Sequence, residues 1–245
     1  MYFEDHYHVD TREVDHQGYC RPSALLGFLQ ETATTAATRL GIDREKMLRE
    51  HNCFWMLARI WVELDRPVQW KDEVTVRTWH RDPKGASIYR DFDLLVDGLA
   101  VGQAVSTWVL ADYDTHKLLR MDRVPELQGT HGGAGLEKGI TLSHLKLPAD
   151  LETVEERRLH YSEADMNSHV NNTRYADFAC DALRMEELRD GEFVRQLKIG
   201  FLAECRPGET LTLAVGRQGE EDFVRGVGQD GRVRFEAALT VGSAP

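Results

Sequence analysis

The stretch from Pro22 to Leu40, PSALLGFLQETATTAATRL, decides the fold of this 245-residue chain. Its apolar residues recur at the three-and-four spacing that places side chains on one face of a helix. Pro22 suits the first turn of such a helix, and Gly41 suits the position just after its end. The stretch therefore predicts a long helix with one buried face, made of Leu25, Leu26, Phe28, Leu29, Ala33, Ala36, Ala37 and Leu40.

Segments with alternating apolar residues surround this helix and predict strands. One such segment, Tyr2 to Val9, precedes the helix, and Asp43 to Glu50 is a candidate for a second, short helix. The turns Lys84-Gly85 and Asp97-Gly98 separate later strands, as in antiparallel hairpins. The predicted order is strand, long helix and antiparallel meander. The alternating apolar residues of the meander strands are Ile60, Val62 and Leu64 in the first, Val74 and Val76 in the second, and Ile88, Phe92 and Leu94 in the third, where Arg90 interrupts the alternation; the fourth runs from Val101 to Leu110.

The same order of elements recurs from about Leu151. When Asp15 is aligned with Asp165, Phe28 falls on Phe178. The predicted elements of this second copy are a strand at Arg157 to Tyr161, a polar loop from Asp165, a helix from about Thr173 to Leu188, and strands at Leu197 to Ala203, Thr210 to Val215, Phe223 to Val227 and Val233 to Val241.

Two such halves predict an α+β fold in which each long helix packs on one face of an antiparallel sheet. Their sheets could join edge to edge into one continuous sheet, which would cover otherwise exposed strand edges. The predicted boundaries are residues 1–128 for the first half and residues 145–245 for the second half. Residues 129–144, which include Gly132-Gly133-Ala134-Gly135, are the predicted linker.

The composition excludes several classes of protein. The formal net charge of −11 argues against nucleic-acid binding, because neutralising phosphates needs a basic surface. No apolar run reaches the roughly 18 residues of a membrane-spanning helix. Four widely spaced cysteines without a CxxC pair favour reduced thiols over a disulfide framework or a zinc site. Because the first ten residues lack the basic and apolar regions of a signal peptide, we expect a cytoplasmic protein.

The densest polar stretch before a helix is Asp165-Met166-Asn167-Ser168-His169-Val170-Asn171-Asn172. Residues 165, 167 and 169 alternate, so an extended backbone would direct their three side chains to the same side. Asn171 or Asn172 can cap the helix that follows. The alternative interpretation of this stretch is a capped turn with solvated polar side chains.

The groups in this stretch suit the transfer of an acyl group to water. A histidine, whose pKa is near neutrality, can transfer a proton, and a nearby carboxylate can orient it or activate the water. The N-terminus of the following helix offers backbone N–H groups to an oxygen that becomes negative. Asparagine side chains position a substrate without adding charge.

The pattern Asp165-x-Asn167-x-His169-x-Asn171-Asn172-x-x-Tyr175, followed by Glu204-Cys205, resembles the signature of the acyl-acyl carrier protein thioesterases. Two further stretches are similar to that family, namely Ser106 to Leu110 with Thr115-His116-Lys117 and Arg120, and Leu145 to Pro148. The resemblance covers nearly all of the chain and is specific around 106–120 and 165–175. It implies a tandem double hot-dog fold, in which each half is a long helix packed on an antiparallel sheet.

The resemblance also implies an activity, the hydrolysis of fatty acyl-acyl carrier protein to free fatty acid and carrier protein in fatty acid biosynthesis. The implied partner is an acyl carrier protein with its fatty acyl chain. No cofactor or metal is expected, and a homodimer is one possible oligomeric state. Cys205 matches a cysteine once proposed as the nucleophile, but attack by water does not need that thiol. The implied catalytic residues are Asp165, Asn167, His169 and Glu204, and the implied substrate-binding residues are Asn171, Asn172 and Tyr175.

The first half departs from this pattern. Asp15 remains, but Gln17, Tyr19, Arg21 and Pro22 stand where Asn167, His169, Asn171 and Asn172 stand in the second half. We therefore expect one active site per chain, with the first half binding the acyl chain beneath its long helix. The run of small residues from Thr32 to Thr38 either admits an acyl tail or makes a tight contact between helix and sheet.

Several questions stay open at the level of sequence. The carrier could be coenzyme A instead of carrier protein, or the chain could be a non-catalytic acyl-binding protein or a hot-dog dehydratase. The preferred acyl-chain length cannot be read from the residues. Basic residues of the second half could form the patch that an acidic carrier protein needs, or simply face solvent; they are Arg157, Arg158, Arg174, Arg184, Lys198 and Arg206.

Overall fold

The structure of the chain, a computed structural model, describes residues 2–127, 135–136 and 144–245. The predicted long helix is present as α1 (Pro22–Leu40), with Pro22 in its first turn and Gly41 in the left-handed region at its end, at φ 67°. Leu25, Leu26 and Leu29 are buried on its inner face. Burial of each such leucine stabilises the fold by about 1.5–3 kcal/mol.

The predicted order of elements is confirmed in both halves. In the first half, α1 is accompanied by β1 (Phe3–His8), α2 (Arg44–His51), β2 (Cys53–Leu64), β3 (Glu73–His80), β4 (Ser87–Val96), β5 (Leu99–Asp112) and the short β6 (Leu118–Leu119). In the second half, α3 (Arg174–Ala182) is accompanied by β7 (Glu152–Arg158), β8 (Glu192–Phe201), β9 (Thr210–Gln218), β10 (Glu221–Gly228) and β11 (Val233–Ser243).

The strands of the described residues form one sheet in the order β1-β3-β4-β5-β2-β8-β11-β10-β9-β7, and β6 pairs with β5. The order of the second half mirrors that of the first, with β2 and β8 as the central antiparallel pair. At this seam Ile60 lies opposite Ile199, and Val62 lies opposite Leu197. The predicted edge-to-edge union of two sheets is therefore confirmed, and one apolar core extends across both halves.

Three details differ from the sequence prediction. Helix α3 ends at Ala182 instead of continuing to Leu188, because Arg184 adopts the left-handed region at φ 55° and a single turn of 3-10 helix follows. Strand β7 begins earlier than predicted and stops at Arg158, since residues 161–163 form a 3-10 turn. The predicted linker lies almost wholly outside the described residues.

The run of small residues in α1 makes a tight contact with the sheet. Thr32, Ala33 and Ala36 are buried, and the Thr32 hydroxyl is hydrogen-bonded to the Tyr7 hydroxyl of β1 at 2.9 Å. Neither of the two cavities described below is lined by this run. Of the two interpretations of Thr32 to Thr38, the structure therefore favours close packing. Within the described ranges, no helix has the length and apolar character needed to cross a bilayer.

Candidate active site

The polar stretch of the second half forms a tight turn and not the extended segment that its alternation predicted. The backbone N–H of Asp165 donates to the carbonyl of His169 at 2.8 Å, and Ser168 adopts φ 63°. The Asp165 carboxylate accepts a hydrogen bond from the Asn167 backbone N–H at 2.8 Å. Such an Asx turn offers the backbone a local alternative to the extended conformation. The expectation of an extended backbone at residues 165–169 was wrong for this reason.

The turn brings His169 against Glu204, which follows β8. The two side chains are in contact, with 3.0 Å between Nε2 and Oε2, and they are 25% and 44% exposed. The backbone N–H of Val170 donates to the carbonyl of Cys205 at 2.8 Å, which fixes the turn beside this segment. A carboxylate can only accept, so Nε2 carries a proton and the neutral ring keeps Nδ1 as an acceptor. The pair is thus accessible to water and polarised for proton transfer.

Asp165 and Asn167 form a second pair in the same turn. Their side chains lie 3.4 Å apart between Oδ2 and Nδ2. The backbone hydrogen bond between Asp165 and His169 joins this pair to the first one, so the four predicted catalytic residues lie in two adjacent pairs.

Asn171 organises the entry into α3. Its side-chain oxygen accepts hydrogen bonds from both the N–H and the hydroxyl of Thr173, each at 2.9 Å. The N-cap of α3 is Thr173, which makes no side-chain capping hydrogen bond, so the predicted capping by Asn171 or Asn172 was wrong, and Asn171 instead closes a turn just before the helix. Asn172 instead lines a small cavity of about 20 Å³, together with Thr173 and Phe201. The other lining residues come from α1 and from strands of the first half, namely Leu26, Leu29, Gln30, Leu57, Ile60, Phe92, Ser106 and Trp108.

Cys205 and Tyr175 lie in the core behind the site. Cys205 is 1% exposed, and its burial raises the pKa of the thiol above the ordinary value. Tyr175 is 3% exposed, and its ring packs edge-on against Phe201 and Phe235. A buried, protonated thiol is a poor nucleophile. Packing accounts for the position of Tyr175, and its contact with substrate stays a prediction.

Arg90 is a buried cation close to the small cavity that was not among the predicted site residues. Arg90 lies on the inner face of β4 beneath α1 and is 6% exposed, and burial lowers its pKa to about 10. Its guanidinium donates to the Thr78 hydroxyl at 3.3 Å. Its strand partner Ser106 lines the small cavity. The interruption of the apolar alternation by a cation was the signal available in the sequence.

A further cluster of acidic and imidazole groups lies at the end of α2. Glu50, His51 and Glu126 place their ligand atoms within 4.8 Å of one another. The Lys46 ammonium lies 3.2 Å from Glu126, and His51 Nε2 lies 3.1 Å from it. A backbone hydrogen bond, followed by Lys46 and His51, lowers the Glu126 pKa to about 2. The lysine supplies the positive charge there, so the cluster is an ion-pair network.

Two family models match the chain. The model of the acyl-ACP thioesterase N-terminal domain matches residues 1–126, and the model of the acyl-ACP thioesterase C-terminal domain matches residues 148–229. The two matched ranges lie on either side of residues 129–144, and the predicted boundaries of the halves stay a prediction.

Curated relatives carry related names. The oleoyl-acyl carrier protein thioesterase 2, chloroplastic, of Arabidopsis thaliana is 24% identical over 231 residues, which are 85% of this chain and 61% of that protein. The oleoyl-acyl carrier protein thioesterase, chloroplastic, of Coriandrum sativum is 23% identical over 245 residues, or 90% of this chain and 64% of that protein. The chain thus spans less than two thirds of the length of these relatives.

Solved structures share the fold over the whole chain. An acyl-ACP thioesterase from Bacteroides thetaiotaomicron has a TM-score of 0.79 at 21% identity, with 98% of each chain covered. The 12:0-ACP thioesterase from Umbellularia californica has a TM-score of 0.86 at 17% identity, with 99% of this chain and 97% of that chain covered. The predicted α+β double hot-dog fold is confirmed. Since the family models together match both halves, the chain belongs to the acyl-ACP thioesterase family.

Proposed function

We propose that the chain hydrolyses fatty acyl thioesters of acyl carrier protein and releases free fatty acid and carrier protein, as a step of fatty acid biosynthesis. The observation that carries this proposal is the His169–Glu204 pair, with 3.0 Å between Nε2 and Oε2, directly before the N-terminus of α3. This arrangement combines a proton acceptor with a helix end that favours a negative oxygen.

In the proposed reaction, Nδ1 of His169 accepts a proton from a water molecule while the water oxygen attacks the thioester carbonyl carbon. Glu204 stabilises the imidazolium that forms. The carbonyl oxygen becomes negative and is stabilised by N–H groups at the start of α3, an oxyanion-hole type of stabilisation. The tetrahedral intermediate then breaks its C–S bond, and the sulfur leaves with the proton from His169 as a free thiol. Thioester and water thus give one carboxylic acid and one thiol.

The remaining predicted residues take supporting roles in this proposal. Asp165 holds the turn that presents His169, and Asn167 contacts the thioester from its exposed position. Because Asn172 lines the small cavity, we place the thioester carbonyl group beside it, at the entrance to that cavity. We therefore assign residues 1–128 to acyl-chain binding and residues 145–245 to catalysis.

The surface beside the site supports docking of a carrier protein. Tyr161 and Met166 are 91% and 85% exposed, although both are large apolar residues, and Leu202 near Glu204 is 46% exposed. Exposed apolar groups next to a functional site are typical of interaction surfaces. Of the six basic residues considered above, Arg157, Arg174, Arg184 and Lys198 form ion pairs with acidic residues of this chain. Arg158 and Arg206 therefore are the cations we assign to an acidic partner.

The experiment is a thiol-release assay with the same acyl chain on two carriers. We expect a higher kcat/KM with acyl carrier protein than with coenzyme A. A higher kcat/KM with coenzyme A would mean that coenzyme A, and not acyl carrier protein, carries the substrate, while the proposed hydrolysis would stand. Binding of acyl ligand without thiol release would favour a non-catalytic protein, and reversible hydration of an enoyl thioester would favour a dehydratase.

The compartment is also part of the proposal. All four cysteines are free thiols, as expected in a reducing environment. We propose the cytoplasm, whereas the plant relatives named above are chloroplastic proteins. A homodimer stays a prediction, which measurement of the molecular mass in solution would test.

A further inference from the structure

The larger of the two cavities lies beside the turn of the first half that corresponds to the candidate active-site turn of the second. It has a volume of about 510 Å³ and lies between α1 and α3. Its lining includes Asp15 and Tyr19, which stand where Asp165 and His169 stand in the other half. Volumes of about 300–1,000 Å³ are typical of ligand pockets. Residues of both halves line this cavity, so it lies between the halves, beside the turn that lacks the histidine.

The two cavities follow one another along the same two elements. On β2, Ile60 lines the small cavity, while Val62 and Leu64 line the large one. Because strand residues advance about 3.3 Å each, these positions span about 13 Å along the seam. On α1, Leu29 lines the small cavity, Leu25 lines the large one, and Leu26 lines both. Leu26 therefore is the partition between the catalytic side and the larger cavity.

Two ion pairs lie in the wall of the larger cavity. Arg157 pairs with Asp181 at 2.6 Å, and Arg174 pairs with Asp177 at 3.0 Å. The floor is apolar and is formed by buried residues of the seam, including Val62, Leu197 and Phe193. A pocket with an apolar floor and paired charges at its walls favours an uncharged hydrocarbon over an anion or a cation.

We propose that the acyl chain of the substrate passes Leu26 and ends in the larger cavity, so that the half-site without catalytic residues receives the distal end of the chain. This proposal rests on the proposed thioesterase function and specifies where its substrate lies. Leu26 is 4% exposed and separates the cavities in the structure. Rotation of its side chain to another staggered conformation opens the passage. The size of residue 26 then sets the longest acyl chain that the enzyme accepts.

The test compares thiol release from decanoyl and palmitoyl carrier protein in variants of residue 26. Leu26→Ala is expected to raise the ratio of kcat/KM for palmitoyl over decanoyl substrate by at least about tenfold, since a methylene in an apolar pocket changes selectivity by about 10- to 200-fold. Leu26→Phe is expected to lower the same ratio. Cys180→Phe, which adds bulk to the wall of the larger cavity, is expected to lower it without a change at residue 26.

The matched control is Leu94→Ala, since Leu94 is a buried leucine beneath α1 that lines neither cavity. Its chain-length ratio should equal that of the wild type, with thermal unfolding measured for every variant to confirm folding. A wild type that releases thiol, together with unchanged ratios in Leu26→Ala and Cys180→Phe, would overturn this inference alone. A wild type that releases no thiol from either substrate would overturn the proposed function, and this inference with it.

Discussion

The turns at residues 13–21 and 163–171 have the same backbone structure and different chemistry. Each turn is closed by a bond from the N–H of an aspartate to a carbonyl four residues later, and in each the aspartate carboxylate accepts from the N–H two residues later. Each is also joined to a neighbouring segment by one further N–H. In the first turn these bonds run from Asp15 to Tyr19 at 2.8 Å, from Gln17 to Asp15 at 2.9 Å and from Cys20 to Val68 at 2.7 Å. In the second turn they run from Asp165 to His169, from Asn167 to Asp165 and from Val170 to Cys205, each at 2.8 Å.

This correspondence identifies the residue that replaces Glu204 in the first half. Because Val68 takes the place of Cys205, Pro67 takes the place of Glu204. The first turn therefore has Tyr19 and Pro67 where the second has His169 and Glu204. The shared aspartate maintains the turn in both halves, whereas the histidine and the glutamate occur only where chemistry is proposed. The comparison separates the residues that shape the turn from those that transfer protons.

The largest effect on turnover is expected when His169 of the second turn is replaced by tyrosine, the residue at the equivalent position 19 of the first turn. His169→Tyr should lower turnover by about 10²- to 10⁴-fold, because the proton acceptor is lost. Single-turnover thiol release measures the effect. The reverse change, Tyr19→His, should create no second site, since Pro67 supplies no carboxylate. Full activity of His169→Tyr would remove the proposed catalytic role.

A smaller loss is expected at the carboxylate partner. Glu204→Gln keeps the shape of the side chain but not its charge, so the imidazolium is less stabilised and turnover should fall by at least about tenfold. Glu221→Gln, which removes an ion pair with Lys198 far along the sheet, is the control and should keep wild-type turnover. Equal rates for the two variants would argue against proton transfer through the His169–Glu204 pair.

Substitution of Gln17 should affect stability, whereas substitution of Asn167, at the equivalent position of the second turn, should affect activity. Gln17 accepts from the Gly191 N–H at 2.9 Å and donates to the Glu192 carbonyl at 3.3 Å, so it joins the first turn to the second half. Gln17→Ala should therefore lower the free energy of unfolding by about 1–2 kcal/mol and leave turnover unchanged. Asn167→Ala should lower turnover and hardly change stability. Denaturant unfolding and kinetics on both variants would show whether this division holds.

The smallest effect is expected at the residue with positive φ in each turn. Ser168 has φ 63°, where the first turn has Gly18 at φ 79°. Ser168→Gly should stabilise the protein by about 0.5–1 kcal/mol, because the left-handed region is strained for a residue with a side chain. A rise of about 2–4 °C in Tm is expected for 1 kcal/mol in a chain of this size. A fall in Tm would mean that the serine hydroxyl holds the turn.

Local patterns made most of the fold predictable. The face of α1, its proline start and its glycine end are all encoded within twenty residues, and the repeat became visible because Asp15 and Asp165 begin matching series of elements. The end of α3 was not predictable, because it depends on one residue, Arg184, that adopts a left-handed conformation.

The site was only partly readable from the residues. His169 and its neighbours stood out as a polar cluster, but the position of the turn beside Glu204 depends on a bond to Cys205, which is distant in sequence. Glu204 entered through family resemblance, since no local pattern marks it. The two cavities depend on how α1 and α3 pack over the seam, and the spacing of residues along the chain does not predict that packing.

The pairing of β2 with β8 also determines how the molecule comes apart. Separation of the halves would leave two long unpaired strand edges, each a template for association with other chains. Neither half is then expected to persist as an independent folded fragment. Heat or denaturant should accordingly melt the whole chain in one cooperative transition, and fragments produced separately should aggregate unless they are mixed and refold together.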